Sequence, residues 1–190
     1  MPPPPAARAK VLEAFATLLV TQGERAATLD AVAAEAGVSK GGLLYHFGSK
    51  VALAEGLMAL LRELTAADVE TMRAWPAGPV DYFIRTSADS DSAFELVYVA
   101  VSRLAQGSYP QARGALDDAH DAWTGAVLEV VGDPVVTRAI MLIGDGLYAQ
   151  ASEHFAGGTS AASAASPAGG SIEDLLALID QMVALRAPRG

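Results

Sequence analysis

The sequence predicts an all-α protein in which a head of three short helices precedes a larger helical bundle. Apolar residues recur at helical spacing along most of the 190 residues, whereas the alternation typical of strands is nearly absent. Hydrophobic residues make up 52% of the chain and charged residues 18%, a composition typical of a packed globular protein. Glycine, proline and capping residues divide the periodic segments into separate helices.

The first fifty residues are predicted to form the three short helices. The first helix ends near Gly23. Thr28 and Ser39 are N-cap residues for the second and third helices, and Gly37 separates those two at a turn that requires a positive φ. The apolar side chains expected to face the core of the head are those of Val11, Leu12, Phe15, Leu18, Leu19, Leu29, Val32, Ala33, Ala36, Leu43 and Phe47.

Beyond residue 50 a long helix is predicted to run towards Trp75, and five more follow. Asp133-Pro134 is a cap followed by a first-turn proline, and the segment 171–174 resembles a capping box. The Gly/Ala/Ser-rich segment at about 157–170 is predicted to be a flexible loop. The five helices are expected at about 80–87, 92–107, 110–132, 134–155 and 171–186.

Charge is distributed unevenly along the chain. The net charge is −9, but residues 1–50 carry five cations and four acids, which gives +1, and the remainder carries −10. Because a phosphate site depends on local charge, this asymmetry indicates two parts with different partners.

Composition also excludes several classes of site. The absence of cysteine removes disulfides, thiolate metal sites and cysteine nucleophiles. No stretch has the length of a membrane span, and the proline run at residues 1–5 lacks the regions of a signal peptide. A cytoplasmic protein is therefore expected.

The segment from Thr28 to Phe47 has the pattern of a helix-turn-helix. A small residue at Ala33 permits the second helix to cross closely over the third, and Val38 fills the angle between them. Leu43 and Phe47 pin the third helix to the core, which leaves its opposite face for the major groove of DNA. The same spacing also occurs in ordinary helical cores, so spacing alone leaves both readings open.

The longer string VSKGGLLYHF at residues 38–47, followed by Gly48-Ser49-Lys50 and Leu53, resembles the TetR family of bacterial regulators. The resemblance covers about residues 8–60. It implies a helix-turn-helix DNA-binding domain at 1–50, with a disordered proline-rich start, and a ligand-binding and dimerisation domain at 51–190.

The resemblance implies a set of DNA-binding residues. Lys40 is expected to contact a base edge, whereas Thr28 and Lys50 are expected to bind phosphates. His46 is either a DNA contact or a structural histidine at a helix end. The sequence departs from the family at Gly42 and Leu44, where many members have threonine and tyrosine, so a phosphate contact is missing from position 44. The full predicted set is Thr28, Ser39, Lys40, Gly41, Gly42, Tyr45, His46 and Lys50.

The remainder of the chain is expected to bind a small, largely apolar molecule. Aromatic residues and methionine cluster in its middle, although at helical spacing such residues more often form a core than a pocket. Asp145 lies in an otherwise apolar helix and can pair with a cationic or hydrogen-bonding group of the ligand. Equally, it can be an interface residue whose hydrogen bonds are made within the protein. The predicted ligand-binding residues are Trp75, Phe83, Phe94, Tyr98, Trp123, Met141, Asp145 and Tyr148.

The last two helices are predicted to form a homodimer interface. Small Gly144 and Gly146 permit close helix approach, and an intrachain core is the alternative. The apolar residues expected on this face are Val136, Ala139, Ile140, Ile143 and Leu147, together with Ile172, Leu175, Leu176, Leu178, Ile179, Met182, Val183 and Leu185.

The expected function is that of a ligand-released repressor on a pseudo-palindromic operator in double-stranded DNA. Three alternatives stay open: an activator of the same fold, a helical small-molecule-binding protein or enzyme whose head no longer binds DNA, and a head used only for protein contact. No catalytic motif is present, so neither enzyme activity nor a cofactor is expected. A metal site at Asp117, Asp118, His120 and Asp121 is a minor alternative to a solvated acidic face.

Overall fold

The architecture is all-α, as predicted. The computed structural model describes residues 5–89, 93–156 and 170–186, and across these ranges every regular element is a helix. The helices are α1 (Pro5–Gln22), α2 (Leu29–Glu35), α3 (Lys40–His46), α4 (Lys50–Ala74), α5 (Pro79–Ser87), α6 (Ala93–Gln106), α7 (Ala112–Val131), α8 (Pro134–Ala156) and α9 (Ile172–Arg186).

The chain divides into two compact units. The first comprises residues 1–65 and 92–119, and the second comprises residues 66–91 and 120–190. Both α4 and α7 contribute to each unit, because each is one unbroken helix across a boundary. The predicted functional division at residue 50 concerns DNA and ligand binding, and it stays a prediction.

The first unit is built on the three-helix head. Helix α1 packs against α2, α3 and α6, which explains why residues 92–119 join the head in one compact unit. Phe15, Leu43 and Phe47 are buried at its centre, where Leu57 of α4 and Leu104 of α6 also lie. Burial of these large apolar side chains is the main stabilising contribution to the unit.

The second unit has a core of its own. Helix α5 packs against α8, and α9 packs against both. Met72, Phe83 and Ile84 are buried there with Ile140 of α8 and Ile179 of α9.

Local capping signals fix the starts of the last two helices. The Asp133 carboxylate accepts hydrogen bonds from the backbone N–H groups of Val135 (2.8 Å) and Val136 (3.0 Å). These bonds lower the pKa of Asp133, chiefly through the Val136 N–H. At α9, Ser171 Oγ accepts from the Asp174 N–H at 3.1 Å, and Asp174 Oδ2 accepts in return from the Ser171 N–H at 2.9 Å. The predicted capping box is therefore present.

Much of the apolar face predicted for dimerisation packs against the core of the same chain. Ile172, Leu176, Ile179, Met182 and Val183 of α9 pack on the core of the second unit. Ile179 is fully buried by this packing, whereas the other four stay half-buried and keep part of the predicted face accessible. The large apolar residues of α8 and α9 that remain exposed are Val135 (61%), Leu142 (60%), Leu178 (49%) and Leu185 (81%).

The two small residues of α8 have different surroundings. A Cβ on Gly144 would lie 2.6 Å from Phe83 Cζ, so α5 approaches α8 closely at this point. A Cβ on Gly146 would meet nothing within 4 Å. Close helix approach at Gly144 therefore occurs within the chain, whereas the predicted approach of a partner helix at Gly146 stays a prediction.

Residues 1–4 of the proline-rich start and residues 157–169 of the predicted flexible loop lie outside the described residues, whereas Pro5 is the first residue of α1. Within the part of the chain that is described, no helix combines the length and apolarity needed to cross a membrane.

Candidate nucleic-acid interface

Helices α2 and α3 form the predicted helix-turn-helix. Thr28 caps α2, since its Oγ1 accepts from the Ala31 N–H at 3.2 Å, and Ser39 caps α3 by accepting from the Gly42 N–H at 3.0 Å. Gly37 lies between them with φ +65°, a conformation that glycine adopts without strain. Both caps and the positive φ confirm the local prediction.

Helix α3 buries one face and exposes the other. Leu43 is fully buried and Phe47, which caps the C-terminus of α3, is 4% exposed, so both pin the helix to the core. Tyr45 is 71% exposed, and the edge of its ring packs against His46 at a centroid distance of 5.7 Å. His46 itself is half-buried. The exposed face therefore presents an aromatic side chain next to a histidine.

Lys40, the predicted base-reading residue, is engaged within the chain. Its Nζ lies 2.9 Å from Asp30 Oδ1 and 3.1 Å from Asp30 Oδ2. The side chain of Lys40 is 57% exposed and that of Asp30 is 72% exposed. Both groups are therefore hydrated, and the pair can open without a large penalty.

Lys50, the predicted phosphate clamp, also has a partner within the chain. Its Nζ donates a hydrogen bond to the backbone carbonyl of Glu24, in the loop between α1 and α2. This contact attaches the first turn of α4 to the head. An ammonium group has three donors, so the Glu24 carbonyl leaves two of them available to a phosphate.

The two glycines of α3 differ in their surroundings. A Cβ on Gly42 would lie 3.2 Å from Ser39 Oγ, the oxygen that caps the helix, which is tighter than usual. A Cβ on Gly41 would meet nothing within 4 Å, and Gly41 has a helical backbone. The fold thus gives a partial reason for Gly42 and none for Gly41.

Glu24 has a structural role that the sequence did not reveal. Its Oε2 accepts a hydrogen bond from the backbone N–H of Ser108 at 3.0 Å, which joins the α1–α2 loop to the turn after α6. This bond is the largest cause of the lowered pKa of Glu24, and the charge of Lys50 lowers it further. No local pattern could indicate a partner 84 residues away.

Replacement of Glu24 by glutamine should destabilise the protein in a pH-dependent manner. Because the pKa of Glu24 is lowered on folding, the ionised carboxylate stabilises the fold above its unfolded pKa, and this contribution is lost as pH falls through the folded pKa. We expect Glu24→Gln to lower Tm by about 2–4 °C at neutral pH, as for the loss of about 1 kcal/mol in a chain of this length. The difference should shrink in acid.

Glu13→Gln is the matched control, because it removes an exposed carboxylate from α1 of the same unit. Thermal melts of the two variants and the unmutated chain at neutral and acidic pH provide the comparison. A Tm difference for Glu24→Gln that is the same at both pH values would contradict the role of the ionised carboxylate.

Comparison with known proteins agrees with this geometry. Residues 11–57 match the model of the family described as bacterial regulatory proteins, tetR family. The match contains α2 and α3 entirely. The chain carries the TetR-family helix-turn-helix segment on a TetR-family fold. The resemblance predicted from residues 38–53 is thereby confirmed.

Solved structures with the same fold share little sequence with the chain. A protein described as a TetR-family transcriptional regulator from Rhodococcus sp. is 18% identical, with a TM-score of 0.65 over 93% of this chain and 98% of that one. GusR of Salmonella enterica is 17% identical, with a TM-score of 0.63 over 94% and 95%. A regulator from Saccharomonospora viridis, in complex with choline, is 15% identical, with a TM-score of 0.61 over 95% and 96%. No curated protein matches the chain.

The residues predicted to bind a ligand are divided between the two units. Phe94 and Tyr98 stack on each other in the first unit, with centroids 6.2 Å apart. The others belong to the second unit: Trp75, Phe83, Trp123, Met141, Asp145 and Tyr148. Phe83 is 8% exposed and packs on Gly144, so it is a core residue.

A polar network in the second unit involves Asp68, which the sequence analysis did not select. Asp68 accepts hydrogen bonds from the Tyr82 hydroxyl (2.6 Å) and from the indole N–H of Trp123 (2.8 Å). Burial raises the pKa of Tyr82, and the bond to Asp68 raises it further. Trp75 lies beside this network, edge-on to Tyr82 at 5.5 Å, and donates its indole N–H to Asp81 at 3.0 Å. The indole N–H groups of both tryptophans are thus hydrogen-bonded within the second unit.

Met141 and Asp145 line a groove of about 450 Å³ between α7 and α8. His120 of α7 faces Asp145 across it, with Nε2 and Oδ2 3.7 Å apart. The groove combines apolar and polar walls, since its lining residues are His120, Thr124, Leu128, Pro134, Thr137, Arg138, Met141, Leu142 and Asp145. Of the predicted ligand-binding residues, this groove brings together Met141 and Asp145.

In the acidic segment of α7, Asp118 and His120 contact different partners. Arg62 Nε donates to Asp118 Oδ2 at 2.7 Å, whereas His120 faces Asp145 and, at 3.5 Å, Thr124. No group of three or more potential ligands that could hold a metal ion occurs among residues 5–89, 93–156 and 170–186.

Proposed function

We propose that the chain is a DNA-binding transcription repressor that a small, largely apolar ligand releases from its operator. The observation that carries this proposal is the surface of α3, whose buried Leu43 and Phe47 turn Lys40, Gly41 and Tyr45 outwards. The family match at residues 11–57 supports the same reading. Enzyme activity forms no part of the proposal, and the expected site of action is the cytoplasm.

The exposed residues of the helix-turn-helix supply the DNA contacts in this proposal. Lys40 reads a base edge in the major groove, and Tyr45 and His46 contact bases or the backbone. Thr28, at the start of α2, and Lys50, at the start of α4, bind phosphates. Lys50 does this while its hydrogen bond to the Glu24 carbonyl holds α4 on the head. Ser39, whose Oγ accepts a hydrogen bond from the Gly42 N–H, caps α3 and sets its direction.

Selection of binding sites from a random duplex pool tests the proposal directly. We expect saturable binding to a pseudo-palindrome with half-sites about 34–36 Å apart, weakening steeply with salt. The Lys40→Ala, Lys50→Ala double variant should lose this binding and keep its ligand binding. The control is a Lys10→Ala, Arg103→Ala double variant, which removes two exposed cations from α1 and α6 of the same unit.

The outcomes separate the alternatives. Equal loss of binding in both double variants would mean that net charge alone carries the affinity. Weak binding to all sequences by the unmutated chain would favour a head that no longer binds DNA. A selected site that increases transcription when the protein is bound would indicate an activator.

Dimerisation through α8 and α9 completes the proposal, because two heads are needed for two half-sites. The support comes from the outward residues Val135, Leu142, Leu178 and Leu185, which are exposed and apolar. Exposed apolar side chains on two neighbouring helices suit an interface between copies.

A Leu178→Asp, Leu185→Asp double variant should be monomeric, because a dimer would bury two charges per chain without partners. Its operator affinity should fall about tenfold or more, since the two half-sites are no longer bound together. Sedimentation equilibrium measures the first effect and DNA titration the second. Val130→Asp is the control, since Val130 is 55% exposed on α7. A monomeric unmutated chain would refute the dimer.

We place the effector in the second unit, with Met141 and Asp145 at the α7–α8 groove as the first candidates. The groove offers apolar contacts from Leu128 and Met141 and a polar end at His120 and Asp145. Ligand binding lowers DNA affinity if the ligand prefers a conformation that disfavours the DNA-bound dimer. Helix α4 is the suggested link, because it is continuous from Lys50 to Ala74. Equal operator affinity with and without a bound ligand would exclude that ligand as an effector.

A further inference from the structure

The ion pair between Lys40 and Asp30 lies on the surface proposed to meet DNA. Asp30 is in the first turn of α2, and Lys40 is the first residue of α3. Both carboxylate oxygens lie within 3.1 Å of the ammonium nitrogen. In the free protein, Lys40, which is expected to contact a base, is therefore already paired with a carboxylate of the same head.

This contact is weak enough to be exchanged during binding. An exposed ion pair typically favours the closed arrangement by no more than about fivefold. Lys40 can therefore leave Asp30 for DNA, but its departure leaves an unpaired carboxylate beside a polyanion. The repulsion between Asp30 and the DNA phosphates then opposes every complex, whatever its sequence.

The two kinds of complex compensate this cost differently. On non-operator DNA, a lysine gains only the attraction of phosphates, which the negative charge of Asp30 offsets. On the operator, Lys40 also gains hydrogen bonds to a base edge, which are made only with the right base pair. The penalty from Asp30 is the same in both complexes, so it lowers both affinities by the same factor and leaves their ratio unchanged.

We propose that Asp30 limits the DNA affinity of this head, because it restrains Lys40 in the free protein and opposes the transfer of Lys40 to DNA of any sequence. The inference rests on the proposed DNA-binding function and adds to it an acid that opposes DNA. Asp30 acts through Lys40, so it is a positioning residue. Its charge also contributes to the net charge of only +1 in residues 1–50.

Asp30→Asn in the full-length chain tests this role, because it removes the charge and preserves the size of the side chain. Binding is measured to the selected operator duplex and to a duplex of scrambled sequence, over a range of salt concentrations. We expect the affinity for both duplexes to rise by about fivefold, so that the ratio of operator to non-specific affinity stays unchanged. The salt dependence of non-specific binding should steepen by about one released counterion.

Glu35→Gln is the matched control, since Glu35 is an exposed acid at the other end of α2. The same gain in both variants would show an effect of net charge alone and would overturn the inference. Asp30→Asn in a Lys40→Ala background provides the second test. The extra gain should disappear there, and a gain that persists without Lys40 would also overturn the inference.

The outcomes distinguish this inference from the function on which it rests. If the unmutated chain selects no sequence, both are refuted. If it binds an operator selectively and Asp30→Asn behaves like Glu35→Gln, only the role of Asp30 fails. The side chain of Asp30 is 72% exposed, so the variant is expected to fold, and circular dichroism checks this.

Discussion

Replacing Gly144 by alanine is expected to destabilise the protein by about 1–3 kcal/mol, the usual cost of inserting a methyl group into a packed core. The new Cβ would lie 2.6 Å from Phe83 Cζ and 3.1 Å from Phe83 Cδ1. Phe83 is 8% exposed and lies among the core residues of the second unit, so its ring has little room to move. Helices α5 and α8 must separate to admit the methyl group. Denaturant titration of the purified protein measures the loss.

Gly146→Ala is the matched control on the same helix. A Cβ at this position meets nothing within 4 Å, so the substitution should stabilise the protein by up to about 1 kcal/mol through helix propensity. A loss of stability for Gly144→Ala together with a gain for Gly146→Ala would demonstrate close packing at Gly144. Equal changes in stability for the two variants would contradict close packing at Gly144. Phe83→Leu combined with Gly144→Ala should recover part of the loss, because a smaller side chain makes room for the methyl group.

Replacing Gly41 by alanine is expected to weaken operator binding about tenfold or more and to stabilise the free protein. In the free protein the added Cβ meets nothing within 4 Å, and alanine is favoured over glycine in a helix by about 1 kcal/mol. The stability gain follows from that difference. The binding loss follows if the backbone of α3 approaches DNA closely, because a methyl group at the contact would hold the helix away.

The two effects are measured on the same sample, by thermal unfolding and by titration with the selected operator duplex. Gly125→Ala in α7 is the control, because a Cβ there is equally unobstructed and α7 carries no proposed DNA contact. It should stabilise the protein and leave operator affinity unchanged. If Gly41→Ala stabilises the protein and binds the operator as tightly as before, the glycine is a frayed helix position that DNA tolerates.

The sequence predicted most of the local structure because the signals are local. Thr28, Ser39 and Asp133 cap helices through backbone groups two or three residues away, and Gly37 takes the positive φ that its turn requires. Each signal is readable within a few residues of the chain. The long-range contacts were not predictable in this way. The Glu24–Ser108 hydrogen bond joins residues 84 positions apart, and nothing in either neighbourhood indicates the other.

The candidate sites were predictable to different extents for the same reason. The DNA-binding residues lie within one short motif, so their spacing places them on one surface. The ligand-binding residues are spread over several helices, and periodicity does not say which helices face each other. Phe94 and Tyr98 therefore fall in the first unit and Met141 in the second. In the same way, the apolar face of α9 could not reveal that most of it covers its own chain.

The location of both tryptophans in one unit has a spectroscopic consequence. Trp75 and Trp123 are the two tryptophans in the sequence, and both belong to the second unit. Each donates its indole N–H to a carboxylate, Asp81 or Asp68. Tryptophan emission therefore reports only on the second unit, whereas far-ultraviolet circular dichroism reports on the helices of both. Melting curves from the two signals coincide only if the two units unfold together. Emission also offers a label-free readout with which binding of the proposed effector can be tested.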